Sequence, residues 1–124
     1  TRTGARPLLV LGMALQAMNE FLNNDKHAEF DAVFTGDDDA AIGVLQALHQ
    51  HDLKIPEKIA VIGFDDLGFA PFLNPPLTTV RQDFAALGEL MMQKVLLALE
   101  EDEPATPDTP LPTRLVVRES TRQR

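Results

Sequence analysis

The stretch V-I-G-F-D-D, Val61 to Asp66, decides the fold. Its first four residues are those of a buried β-strand, and the strand halts on two carboxylates. It is answered by P-P-L-T-T-V-R-Q, Pro75 to Gln82, a stiff turn that enters a second short strand. Strands that end on acids beside a rigid turn suggest a crevice with an acidic floor.

Upstream, Lys54 to Glu57 forms a turn before the strand Ile59 to Phe64. The run Asp31 to Gly36 (D-A-V-F-T-G) favours β structure and is closed by Gly. Asp37 to Asp39 then supply N-cap chemistry and favourable charge for a helix through Ala41, Val44, Leu45 and Leu48 to about His51. Leu8, Leu11, Leu15, Met18 and Leu22 are spaced three and four apart, which predicts a helix that ends at Asn23, Asn24 and Asp25. Helix, strand, helix, strand is the alternation of a parallel α/β sheet. Downstream, Thr78 to Arg81 is a short strand, and Phe84 to Glu100 is an amphipathic helix with Leu87, Met91 and Val95 on one stripe. Glu100 to Pro112 holds four Pro and five acidic residues and predicts an exposed connection. Leu115 to Val117 predicts a last strand.

With 124 residues and 44% hydrophobic content, there is room for one domain with a real core. The start at Thr1 without Met and the charged tail Arg118 to Arg124 are expected of a piece of a longer protein. A net charge of −8, with eleven scattered Lys and Arg, argues against this piece gripping a phosphate backbone by itself. There is no Cys, which removes disulfides and thiolate metal sites and is compatible with the cytosol. No apolar run reaches the roughly 20 residues that span a bilayer. No cofactor and no membrane partner are expected.

In open parallel sheets, ligands bind outside the carboxyl ends of the strands. Asp37 follows one predicted strand and Asp65 ends another, so neighbouring strands bring both carboxylates to one crevice. Three readings stand. Asp37, Asp38 and Asp39 can be helix caps or solvated acids. Clustered carboxylates also suit magnesium, as in a phosphoryl-accepting domain. That chemistry wants a Lys closing a later strand, and Lys26, Lys54, Lys58 and Lys94 do not supply it. Alternatively, an ionised carboxylate accepts hydrogen bonds from adjacent hydroxyls of a sugar, each worth about 1.5–3 kcal/mol. His49 and His51 lie two apart and do not share a helix face. No Ser-His-Asp order or Gly-rich phosphate loop appears, and catalysis is not expected.

Four strings in order carry a resemblance: D-A-V-F-T-G-D-D-D-A-A-I-G at Asp31 to Gly43, L-K-I-P-E-K-I-A at Leu53 to Ala60, V-I-G-F-D-D continuing to P-P-L-T-T-V-R-Q-D-F, and L-P-T-R-L-V-V-R-E-S at Leu111 to Ser120. From about Gly12 to Ser120 the chain resembles the C-terminal part of LacI/GalR-type bacterial transcription regulators. The resemblance implies a two-lobed sensor fold like that of periplasmic sugar-binding proteins. It also implies a small effector, a sugar or nucleobase, held between the lobes, and operator DNA read by a domain outside this chain. Transporter-associated sugar-binding proteins share the fold, but the L-T-T-V-R-Q and V-R-E-S strings are less typical of them.

The same resemblance assigns effector contact to Asp65 and to Asp37, where sugar-responsive members often carry Asn. It places Gln82 and Phe84 at positions that can line the cleft, although Phe84 also starts an apolar stripe suited to core packing. Residues 1–79 and 111–124 are expected to form the C-terminal lobe. Residues 80–110 are expected to be a crossover and a helix of the N-terminal lobe. A homodimer is expected through Ile42, Leu45 and the loop carrying Phe69, Phe72 and Leu73. Asp52 sits where relatives usually have Gly at a helix end, which implies a left-handed residue.

Overall fold

The computed structural model describes residues 5–24, 29–100 and 110–121. Along the chain run α1 (Ala5–Asn24), β1 (Ala32–Phe34), α2 (Asp38–Gln50), β2 (Ala60–Asp65), a short 3-10 turn (Ala70–Phe72), β3 (Thr78–Arg81), α3 (Phe84–Glu100) and β4 (Arg114–Val116). The predicted acidic connection lies mostly outside the described residues. Two compact units result: Thr1–Arg81 with Leu115–Arg124, and Gln82–Arg114.

In the first unit the strands form one sheet in the order β1-β2-β3-β4. β1 pairs with β2 in parallel, with Val33 opposite Val61. β2 pairs with β3 in parallel, with Gly63 opposite Thr79 and Asp65 opposite Arg81. The parallel β1-α2-β2 unit is the arrangement the alternating sequence predicts. Period-two alternation sends Val61 and Gly63 to the buried face, while Ile62 and Phe64 on the other face remain half-exposed. There Phe34 meets Phe64 edge to face, with ring centroids 6.4 Å apart.

The core lies between α2 and the buried sheet face. Leu48, Ile59, Val61 and Leu77 are its large fully buried apolar side chains, and Met18 joins from α1. The two helices cross closely at Gly43. A Cβ there would collide with the Leu11 carbonyl and lie 2.7 Å from the Leu15 amide nitrogen. Asn19 on α1 fixes the far end by donating to Gln50 Oε1 at 3.0 Å and by pairing with His51 Nε2 at 3.1 Å.

α2 stops through a Schellman arrangement. The Leu53 amide donates to the Leu48 carbonyl at 2.9 Å and the Asp52 amide to that of His49 at 3.1 Å. This puts Asp52 at φ 54, the left-handed position where Gly is usual. The second unit is built around α3, which opens with Asp83 Oδ1 accepting from the Ala86 amide at 2.9 Å. None of its residues is buried, and Met91, Met92, Val95 and Leu99 are exposed.

Candidate functional site

At the carboxyl edge of the sheet, β1 passes into α2 through Thr35, whose amide donates to the Ile62 carbonyl at 2.9 Å. Thr35 Oγ1 lies 2.8 Å from the Asp37 carbonyl and shapes the turn. Asp37 is extended and caps the helix, its Oδ1 accepting from the Ala40 amide at 2.6 Å. Capping uses one carboxylate oxygen, and the side chain is half-buried at the strand end.

Asp38 is neither a cap nor solvated. It is fully buried and reaches over the sheet, where Oδ1 accepts from Thr79 Oγ1 at 2.6 Å and Oδ2 from the Leu67 amide at 2.8 Å. Gly63 makes this possible: a Cβ there would collide with Asp38 Oδ1 and stand 2.8 Å from Leu77 Cδ2. Burial pushes the Asp38 carboxyl above its ordinary range, opposed by the bonds from Thr79 and Leu67 and reinforced by Asp65 and Asp66. Half-buried Asp39 is raised as well, first by burial and then by the charges of Asp37, Asp38 and Asp65. The acids at the two strand ends thus share one field.

β2 ends in an unusual turn. Asp65 has φ 106 and Asp66 has φ 55, two consecutive non-Gly residues with positive φ. Such conformations cost about 1–3 kcal/mol each and persist where the surroundings over-determine them. Here the surroundings do so from two sides. The Asp66 amide donates to Thr79 Oγ1 at 3.3 Å and the Leu67 amide to Asp38. The Asp66 carboxylate, 3% exposed, takes Arg118 Nη2 on Oδ1 at 2.7 Å and the Arg81 guanidinium on Oδ2. Burial alone would raise this carboxyl, but the hydrogen bonds and charges of Arg118 and Arg81 outweigh it and hold it below the usual range.

Arg118 also donates from Nη1 to the Leu77 carbonyl at 2.7 Å. Two residues on, buried Ser120 donates from Oγ to the Val61 carbonyl at 2.6 Å and accepts from the Thr78 amide at 2.8 Å. The V-R-E-S string therefore pins the chain across β2 and the start of β3. Among the described residues, every buried side-chain nitrogen or oxygen has a hydrogen-bond partner. No group of three or more His, Asp or Glu among them converges on a metal-sized site.

Asp37 and Asp65 thus stand at the ends of adjacent strands, as the sequence predicts. Gln82 and Phe84 fall in the second unit, Gln82 half-buried and Phe84 exposed at the start of α3. Of the predicted dimer residues, Phe72 is 85% exposed, and Ile42 and Leu73 are half-buried. Leu45, at 4% exposure, packs into this chain's own core. Sequence reasoning missed Asp38 as a buried acceptor, Asp66 as an ion-pair centre, Thr79, Arg81 and Arg118 as their partners, and Ser120 as the clamp between β2 and β3. The signal was present in L-T-T-V-R and V-R-E-S, but only as family strings.

A largely parallel sheet with α2 against one face and acids at its carboxyl ends is the arrangement in which open α/β domains take ligands. The chain belongs to the family described as periplasmic binding protein-like domain, which it matches over residues 6–121. It is 46% identical over 80 residues, 64% of its length, to the ribose operon repressor of Escherichia coli (strain K12), covering 24% of that protein. It is 36% identical over 113 residues, 86% of its length, to the HTH-type transcriptional repressor PurR of Glaesserella parasuis serovar 5 (strain SH0165), covering 33% of it. Among solved structures, the lac repressor dimer bound to operator and the anti-inducer ONPF superposes with a TM-score of 0.78 at 30% identity. That match covers 89% of this chain and 37% of the other. Within the family, this chain corresponds to the C-terminal part of the effector-binding domain of LacI/GalR-type regulators. It spans about a quarter to a third of the length of these curated relatives. None of the described helices is long and apolar enough to cross a membrane.

Proposed function

We propose that this chain is the effector-sensing part of a LacI/GalR-type transcriptional repressor. In this reading a small polar molecule, a sugar, binds between two lobes and alters operator affinity. The observation that carries the reading is the match to repressors along nearly the whole chain, with Asp65 ending β2 at the edge where open parallel sheets take ligands. Asp65 and Asp37 supply acceptors for ligand hydroxyls, and Gln82 and Phe84 complete the contacts. Residues 1–79 and 111–124 act as the C-terminal lobe, and 80–110 as a crossover and a helix of the N-terminal lobe. The function is binding without catalysis, in the cytoplasm. The regulator works as a homodimer through a patch that includes Ile42, Phe72 and Leu73, with operator DNA read by a separate domain.

The test is Asp65→Asn in the full-length regulator. Loss of one charge-assisted acceptor costs about 1.5–3 kcal/mol, or about tenfold or more in ligand affinity. Operator binding is expected to survive while release by the sugar is lost. Release retained at wild-type sugar concentrations sinks the assignment of Asp65.

A further inference from the structure

The acid proposed to meet the ligand, Asp65, is held in a backbone conformation that an L-residue rarely adopts, and so is its neighbour Asp66. Neither Gly nor Asn is present to make that turn comfortable. The amides that follow Asp65 are fixed from one side of the sheet by a single buried acceptor system. Asp38 takes the Leu67 amide on one oxygen and the Thr79 hydroxyl on the other, and Thr79 Oγ1 in turn accepts from the Asp66 amide. Thr79 stands opposite Gly63 in the register of β2 and β3, where the missing side chain leaves room for the carboxylate. A helix cap needs none of this. Asp37 already caps α2, so Asp38 serves the loop after β2.

From this we infer that Asp38, acting through Thr79 and the Leu67 amide, is the positioning residue that sets the left-handed Asp65–Asp66 turn and thereby aims Asp65 at the ligand. The inference rests on the proposed role of Asp65. It concerns a residue that touches no ligand itself.

The test uses the full-length regulator and the tightest wild-type binder among D-ribose, D-galactose, cellobiose and hypoxanthine, measured by calorimetry. Thr79→Val removes the donor to Asp38 and the acceptor for the Asp66 amide at nearly constant volume, whereas Thr79→Ser keeps both. Thr79→Val and Asp38→Asn are expected to weaken binding about tenfold, as loss of about one hydrogen bond's worth of preorganisation would, and Thr79→Ser to stay within about twofold of wild type. Phe30→Ala, which removes a ring packed on Phe21 and the core ahead of β1, at the opposite edge of the sheet from this turn, controls for destabilisation alone and is expected to keep wild-type affinity. Independently of any ligand, the Cα and Cβ chemical shifts of Asp65 and Asp66 are expected to move in Thr79→Val and to be restored in Thr79→Ser.

Unchanged shifts in Thr79→Val, or an equal loss of affinity in Phe30→Ala, overturn the positioning role. Wild-type affinity in Asp65→Asn overturns the assignment of Asp65 instead, so the two failures are told apart.

Discussion

Replacing Gly63 by Ala puts a methyl group where Asp38 Oδ1 stands and 2.8 Å from Leu77 Cδ2. The carboxylate cannot retreat freely, because its two oxygens are held by Thr79 Oγ1 at 2.6 Å and the Leu67 amide at 2.8 Å in a fully buried setting. Overpacking of this kind costs about 1–3 kcal/mol. Displacing the carboxylate from Thr79 forfeits a further charge-assisted bond of about 1.5–3 kcal/mol. Partial relaxation trims the sum, so the expected loss is about 3 kcal/mol. Calorimetric unfolding of the intact regulator reads it as a lower midpoint for the effector domain. The decisive measurement is the double variant. If the methyl acts by striking Asp38, then Asp38→Ala costs less in the Gly63→Ala background than in wild type, with coupling of about 1–3 kcal/mol. Strict additivity, or a Gly63→Ala variant as stable as wild type, refutes the account of Gly63 as the space that admits Asp38.

The two arginines on Asp66 are expected to differ in weight. Arg118 is 14% exposed and also holds the Leu77 carbonyl, so Arg118→Ala costs about 3 kcal/mol by leaving a buried carboxylate half-paired. Arg81 is 46% exposed, and Arg81→Ala costs under about 1 kcal/mol; equal costs in chemical denaturation would refute this ranking. The acid limb of stability is the other expected readout. The Asp66 carboxyl is held below its ordinary 3.8, so its contribution is fully present above that pH and is lost as pH falls through the lower folded value. Asp66→Asn is therefore less stable than wild type at neutral pH but declines less steeply below about pH 4. Urea midpoints measured across that range check this, and parallel slopes for the two proteins contradict it.

The parallel alternation, the bounds of α3 and the N-terminal cap of α2 were legible because each is written in local spacing and local chemistry. The three acids at Asp37 to Asp39 were not separable that way. Successive helical residues rotate by about 100°, so one of the three turns toward the sheet, and which one depends on how α2 docks. That docking is fixed elsewhere, by Gly43 against α1 and by the vacancy at Gly63. Asp65 and Asp66 posed the same difficulty. Alternation along β2 predicts opposite faces for the pair, but both leave the strand conformation, and the partner that buries Asp66 stands 52 positions away. Leu45 was given to a dimer patch by the resemblance alone, because helical periodicity marks an apolar face without saying whether the chain's own sheet or another subunit covers it.

Ser120 bears on the order in which the chain can fold during synthesis. It completes the hydrogen bonding of Val61 across 59 positions of sequence, and its own amide is held by the Pro76 carbonyl. At about 5–20 residues per second, the ribosome needs roughly 3–12 s to make the intervening stretch. During that interval β2 can pair with β1, and with β3 once Thr78 to Arg81 have been made, while the Val61 amide and carbonyl wait for their last partner. The first unit is therefore a sheet whose opening strands are made early and whose fastening arrives late, so its folding is completed only as the V-R-E-S segment emerges.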